Sequence, residues 1–356
     1  MDITQSSAVN DETRPLHMFV QRWSADELSG YGSWSQLRVG GSPSTRSIPV
    51  QVSPNFWLAG EAFDAHQPAQ VHGAYNSGLD VGKAIYNTLL GNKKDVEIVI
   101  IGAGFAGISC AYSLVQCLLN TSSSLVITIR ILEARDRIGG RVHTITMNNV
   151  NIDVGTSYSS LTSLNYLLIH PFIGGSWLQN CNDNNSLLPV AKELGLTLIP
   201  SDFSRPIFAL QEKVDKSKEE TLKAITNAIV AVEISAEKLV ASGDIDMSFT
   251  QGLRQLSGGF SSPHELAALC DINADSGLDF DQLSFKQALT EPGIGNGDML
   301  IKEGYISILN HFYAAIKAFY QKEVVEYNSH VTLTHSLTHS LTHFIAGQGN
   351  RLLVWY

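Results

Sequence analysis

The chain has 356 residues, of which 44% are hydrophobic and 16% charged, enough to bury a sizeable core and too apolar for a disordered tail. Its 24 Lys and Arg against 34 Asp and Glu leave a formal net charge of −10 and no strongly basic run, which excludes an extended nucleic-acid-binding face as a first reading. The four cysteines form no CxxC pair, which fits buried thiols in a reducing compartment. The polar, acidic start MDITQSSAVNDETRP lacks the apolar stretch of a secretory signal, and the expectation is a cytoplasmic protein with no membrane partner.

In chain order, residues 1–16 read as a leader. Residues 55–60, Asn-Phe-Trp-Leu-Ala-Gly, predict a short buried strand ending at a glycine turn. A helix is predicted over residues 74–90, capped by Gly91. The β-branched run Val96 to Ile101 predicts a strand, the glycine turn 102–107 opens a helix to Leu119, and residues 125–132 predict a second strand: a β-α-β unit. Helical patterns recur over residues 213–240 and 306–320, and residues 241–300 read as loops and short helices. The tail repeats Ser-Leu-Thr-His over residues 332–343, as a four-base repeat does on translation. A helix would align His335, His339 and His343 on one face, but the repeat reads as low complexity and no metal site is assigned.

The strongest motif is Gly102-Ala103-Gly104-Phe105-Ala106-Gly107, a GxGxxG that follows a strand and opens a helix. Gly102 makes the turn, Gly104 lets the backbone approach a pyrophosphate, and Gly107 lets helix and strand pack closely. The helix N-terminus beyond Ala106 offers free N–H groups to phosphate. Glu133 ends the second strand, where a carboxylate accepts hydrogen bonds from a ribose. The run Glu133-Ala134-Arg135-Asp136-Arg137-Ile138-Gly139-Gly140-Arg141 follows directly. Gly139, Gly140 and Arg141 would set a second turn and a guanidinium beside the same pyrophosphate, suiting a cofactor held along its whole length.

That run resembles the signature of the flavin-containing amine oxidases: monoamine oxidases, flavin histone demethylases and, most of all, polyamine oxidases. The resemblance implies an α/β fold, an FAD-binding Rossmann-like (GxGxxG) domain with a partial, largely helical substrate domain. It also implies FAD with Glu133 on the adenosine ribose, and Arg135 and Arg141 along the cofactor. Gly175-Ser176-Trp177 resembles the family's turn under the flavin, here delayed by an insertion at 156–174, and Val331 falls at the family's adenine-contacting strand.

Residues before the β-α-β unit resemble the family's C-terminal end. Residues 55–62 resemble its closing strand, and residues 71–78 the start of its last helix, which implies that Gly60, Glu61 and Val71 contact FAD. Trp34 and Tyr75 fall on the two aromatic positions flanking the substrate amine; apart from the resemblance, either ring also reads as a core residue. Ser33 stands where some monoamine oxidases carry a flavin-linking cysteine, so the implied FAD is non-covalent.

The organisation expected is a C-terminal-type segment at 1–92, an N-terminal-type βαβ segment at 95–185, and a partial substrate domain at 186–320. A return strand at 321–331 and the low-complexity tail at 332–356 complete it. A circular permutant and a junction of two tandem gene copies both give this order. The family's reaction is hydride transfer from the carbon beside an amine nitrogen to flavin, with dioxygen reoxidising the flavin to give hydrogen peroxide. The implied partners are therefore a polyamine-type small molecule and dioxygen. A flavin-binding remnant without catalysis and another flavin oxidoreductase of the same fold stand as alternatives.

Overall fold

The computed structural model describes residues 21–47, 51–90, 95–121, 125–154, 166–169, 175–182, 185–201, 207–210, 234–257, 279–286, 297–331 and 351–355. In chain order the strands are β1 (Gln51–Ser53), β2 (Phe56–Leu58), β3 (Val96–Ile101), β4 (Ile127–Leu132), β5 (Thr144–Met147), β6 (Val150–Asp153), β7 (Tyr166–Ile169), β8 (Trp177–Leu178), β9 (Leu198–Pro200), β10 (Ile207–Leu210), β11 (Met299–Ile301), β12 (Val325–Glu326) and β13 (Arg351–Trp355). The helices that position the site are α1 (Val71–Leu89), α2 (Phe105–Leu119), α3 (Leu188–Glu193) and, after a short helix at Phe249–Ser257, α4 (Ile306–Tyr320).

The main sheet has six strands in the order β1-β2-β13-β3-β4-β12. Only the β1–β2 hairpin is antiparallel; every other neighbouring pair is parallel. Ile98 and Ile100 of β3 and Ile131 of β4 are fully buried. β3 is a nearly continuous β-branched run, whereas β4 alternates, with Ile127, Ile129 and Ile131 buried and Thr128 and Arg130 only half-buried. The α/β fold class and the β3-α2-β4 unit are as the sequence predicts.

The tail differs from its reading. Residues 332–350, which include the three repeat histidines, lie outside the described residues. Arg351–Trp355 are no low-complexity appendage: they form β13, which fills the sheet between β2 and β3. The physical reason is pairing. Strand neighbours stand about 4.8 Å apart, so β2 and β3 reach each other only through a strand between them.

Helices α1 and α2 pack face to face. A Cβ on Gly78 would lie 2.2 Å from the Ala106 carbonyl oxygen, and one on Gly82 would lie 2.6 Å from that of Cys110. Only glycine permits this approach, and Ser113 Oγ donates to the Leu79 carbonyl across the same seam at 2.8 Å. The seam joins residues before the β-α-β unit to the unit itself, and brings the two helix N-termini to one end of the sheet.

β8, β11 and β9 make a small antiparallel sheet, and β7 pairs with β10. Most of the 156–174 insertion and of the 213–240 helical pattern lies outside the described residues. The insertion's flanks meet: Ser176 Oγ donates to the Asp153 carbonyl at 3.0 Å. Among the described residues, no helix is long and apolar enough to cross a membrane. None of their His, Cys, Asp or Glu cluster in groups suited to a metal.

Candidate cofactor site

One cavity of about 630 Å³ opens where the main sheet's parallel strands end, between the N-termini of α1 and α2. That volume lies in the range of small-molecule and cofactor sites. The glycine turn forms its floor: Gly102, Gly104, Ala106 and Gly107 all line it. Gly104 is the N-cap of α2 and supplies no side-chain cap, so among the described residues no cap side chain competes for the first-turn N–H groups at the cavity. A Cβ on Gly104 would meet nothing within 4 Å, which leaves open space against its backbone. α1 begins in the same way, with Gln70 at its uncapped start and Val71 on the cavity wall.

The second glycine turn is fastened to the first. Gly139 N donates to the Ala103 carbonyl at 2.9 Å. Gly139 has φ 111°, and a Cβ there would come within 2.4 Å of the Val142 carbonyl oxygen, so no other residue fits without moving the turn. Gly139, Gly140 and Arg141 all line the cavity.

Two carboxylates set its electrostatics. Glu133 is buried; its Oε2 accepts from Ala103 N at 2.7 Å and its Oε1 from Arg135 N at 2.9 Å. Each of these oxygens accepts one such bond and a carboxylate oxygen can accept a second, so a cavity-lining Glu133 has capacity for a ribose diol. Glu61 is saturated instead. It accepts from Ser35 N at 3.0 Å, Ser35 Oγ at 2.6 Å, Ala69 N at 2.8 Å and Arg141 Nη1 at 2.9 Å. Burial alone would raise its pKa, but the Arg141 charge, the Ser35 hydroxyl and the other donors outweigh it and hold the carboxyl below its ordinary value. Glu61 thereby ties together the loop after Trp34, the entry to α1 and Arg141. Arg141 Nη1 donates on to the Ser33 carbonyl at 3.1 Å.

Most residues singled out in the sequence meet at this cavity. Trp34, Gly60, Glu61, Val71, Glu133, Arg135, Gly175 and Val331 line it beside the two glycine turns. Three do not. Ser176 and Trp177 are buried behind Gly175, with the Trp177 ring N–H on Ser201 Oγ. Tyr75 lies one turn down α1, where its ring stacks on Phe312 of α4 at 5.1 Å in the apolar core. Trp34 thus walls this cavity, while the Tyr75 ring packs on Phe312 beside it. Residues 27–30, Ser329 and His330 also line the cavity. No motif marks them, since they reach it only through tertiary contacts.

Beneath α1's first turn lies a buried polar network. Asn185 Nδ2 donates to the Gln179 carbonyl at 2.6 Å and lies 3.3 Å from His72 Nδ1, while His72 Nε2 lies 3.1 Å from Gln67 Oε1. This pattern suits a neutral imidazole. Burial, only partly opposed by Asp64, pushes the His72 pKa down from 6.5 to about 4. A base with a depressed folded pKa contributes stability that is complete above 6.5 and is lost as pH falls toward about 4. Thermal unfolding between neutral pH and that value should show this loss, and His72→Asn should flatten the slope.

Residues 4–85 match the family model of flavin containing amine oxidoreductase, and residues 100–168 match that of the NAD(P)-binding Rossmann-like domain. Probable polyamine oxidase 4 of Arabidopsis thaliana is 31% identical over 30% of this chain and 16% of its own length. Polyamine oxidase 5 of Oryza sativa subsp. japonica is 25% identical over 68% of this chain and 46% of its own length. Lysine-specific histone demethylase 1 homolog 2 of Arabidopsis thaliana is 46% identical over 18% of this chain and 9% of its own. The chain thus matches less than half the length of these relatives. A solved putrescine oxidase with bound putrescine is 18% identical, with a TM-score of 0.37 over 66% of this chain and 51% of that one.

Proposed function

We propose that the chain binds FAD non-covalently in this cavity and acts as an amine oxidase, with polyamine-type amines as substrates and hydrogen peroxide as a product. The observation that carries this reading is the convergence of the GxGxxG turn, Glu133, the Gly139–Arg141 turn and Trp34 on one cavity. The cradle fits such a group: open backbone at Gly104, two uncapped helix N-termini for a pyrophosphate, and a buried carboxylate with acceptor sites to spare for a ribose. Bound flavin supplies a hydride acceptor that dioxygen can reoxidise. The chain's own part is placement: Glu133 orients the ribose, Arg141 and the helix N-termini neutralise the phosphates, and Trp34 excludes water with an apolar, π-rich face. No side chain at the site need act as a strong acid or base.

In this reading residues 1–92 and 95–185 are the family's C-terminal and N-terminal pieces in exchanged order, with 186–320 a partial substrate domain. The amine oxidoreductase match ahead of the Rossmann-like match supports it, as does the α1–α2 seam. Tyr75 in the core favours a second reading, a flavin-binding remnant that does not turn over amines. The visible spectrum of the purified protein, then peroxide release with spermine and spermidine, separates them. A flavin spectrum with peroxide supports the enzyme, a flavin spectrum without peroxide supports the remnant, and a protein that stays colourless in FAD sinks both.

A further inference from the structure

Residues 27–30 form one wall of the cavity, at the end where Glu133, Ala134, Arg135, Ser329 and His330 line it. In a βαβ nucleotide fold the acidic residue after the second strand marks the ribose, so this is the nucleoside end. The wall is a short 3₁₀ turn, Glu27–Ser29, that ends at Gly30 with φ 64°. It is tied to the cavity's opposite bank. Arg135 Nη2 donates to Asp26 Oδ2 and, at 3.0 Å, to Ser29 Oγ. Ser29 Oγ donates to the same Asp26 oxygen at 2.9 Å, and Leu28 N donates to Asp26 Oδ1 at 3.1 Å. Asp26 thus caps the turn from within and anchors it from without. Arg135 and Asp26 are only 15% and 24% exposed, so the pair is screened less than a surface pair. The surrounding charges are Glu133, Asp136 and Arg137, on the strand end that carries Arg135.

We infer that Asp26 and Ser29 are positioning residues that hold residues 27–30 as a wall over the nucleoside end of the cavity, and so set how tightly the adenosine diphosphate half of a dinucleotide is kept. The inference rests on the dinucleotide reading above and adds to it a segment that lies far from the glycine turns in sequence. The wall's contribution is confined to one half of the ligand. ADP, which carries that half, should sense the anchor, and FMN, which carries only the flavin half, should not.

Calorimetric titration of the full chain, stripped of flavin by dialysis, with ADP and with FMN tests this. Asp26→Asn should weaken ADP by about tenfold, the scale of one charge-assisted hydrogen bond, and leave FMN unchanged. Ser29→Ala should move ADP the same way by less. In wild type, raising salt toward 1 M, where the screening length falls to about 3 Å, should weaken ADP more than it does in Asp26→Asn. Equal ADP affinity in wild type and Asp26→Asn overturns the wall. So does an equal loss for FMN, which would mark Asp26 as merely structural. A wild-type chain that binds neither ligand overturns the dinucleotide reading itself, and the wall with it.

Discussion

Deleting residues 351–356 is expected to abolish flavin binding and to lower the thermal midpoint sharply. β13 pairs with β3 over Arg351 to Trp355 and with β2 over Leu353 to Trp355. Without it, β2 keeps only the short β1 hairpin, and the inner edges of β2 and β3 lose their partners. Each lost backbone hydrogen bond costs about 0.5–1.5 kcal/mol net, so several together exceed the margin of an ordinary domain element. The site fails for a geometric reason. Gly60 and Glu61 follow β2 directly, and β13 is what holds β2 in line with β3 and its glycine turn. A point variant gives the same answer with less disruption. Val354 is fully buried, and Val354→Asp would place an unpaired carboxylate in the sheet at a cost of several kcal/mol. Circular dichroism melts and flavin absorbance check both variants. A deletion that retains full flavin absorbance would show that β13 is dispensable to the site.

The glycine turns, Glu133 and Arg141 were legible in the sequence because their work is local. A tight turn between a β-branched run and a helix demands glycine wherever it occurs, and the carboxylate's place follows from the next strand. Helices α1, α2 and α4 were legible to within a few residues, since each carries an apolar face over several turns. β13 was not, because a five-residue apolar run beside low-complexity sequence has no period that separates strand from anything else; only its two neighbours define it. The place of the Tyr75 ring was not legible for a related reason. Its spacing from Val71 puts it on the right helix face, but the choice between cavity and core is made by Phe312, more than two hundred residues away in sequence. The Asp26–Arg135 anchor is equally non-local, and nothing around Asp26 marks it.

Glu61→Ala should destabilise the chain even when no flavin is present. The substitution strips a buried carboxylate of four accepted hydrogen bonds and leaves Arg141, Ser35 N and Ala69 N without it. Breaking a buried ion pair from one side costs about 3–5 kcal/mol, and the low end applies because the Arg141 side chain is 35% exposed and can recruit water. Glu61→Gln keeps an acceptor oxygen but not the charge, and should lose less. The pH dependence has a definite sign. A carboxyl whose folded pKa is depressed contributes stability that is present above its ordinary value of 4.5 and is lost as pH falls through the lower folded value. Melts of Glu61→Gln should therefore approach those of wild type at the acid end and fall short by the full difference above pH 4.5. The flavin-free melt is the deciding measurement. A carboxylate that serves only as a cofactor contact leaves that melt unchanged on substitution, whereas one that clamps the Trp34 loop, the start of α1 and Arg141 lowers it by several degrees. Flavin affinity should then fall in the same order, Glu61→Ala below Glu61→Gln, because the clamp sets the distance between the two uncapped helix N-termini and the arginine that, in the proposed reading, would receive the phosphates.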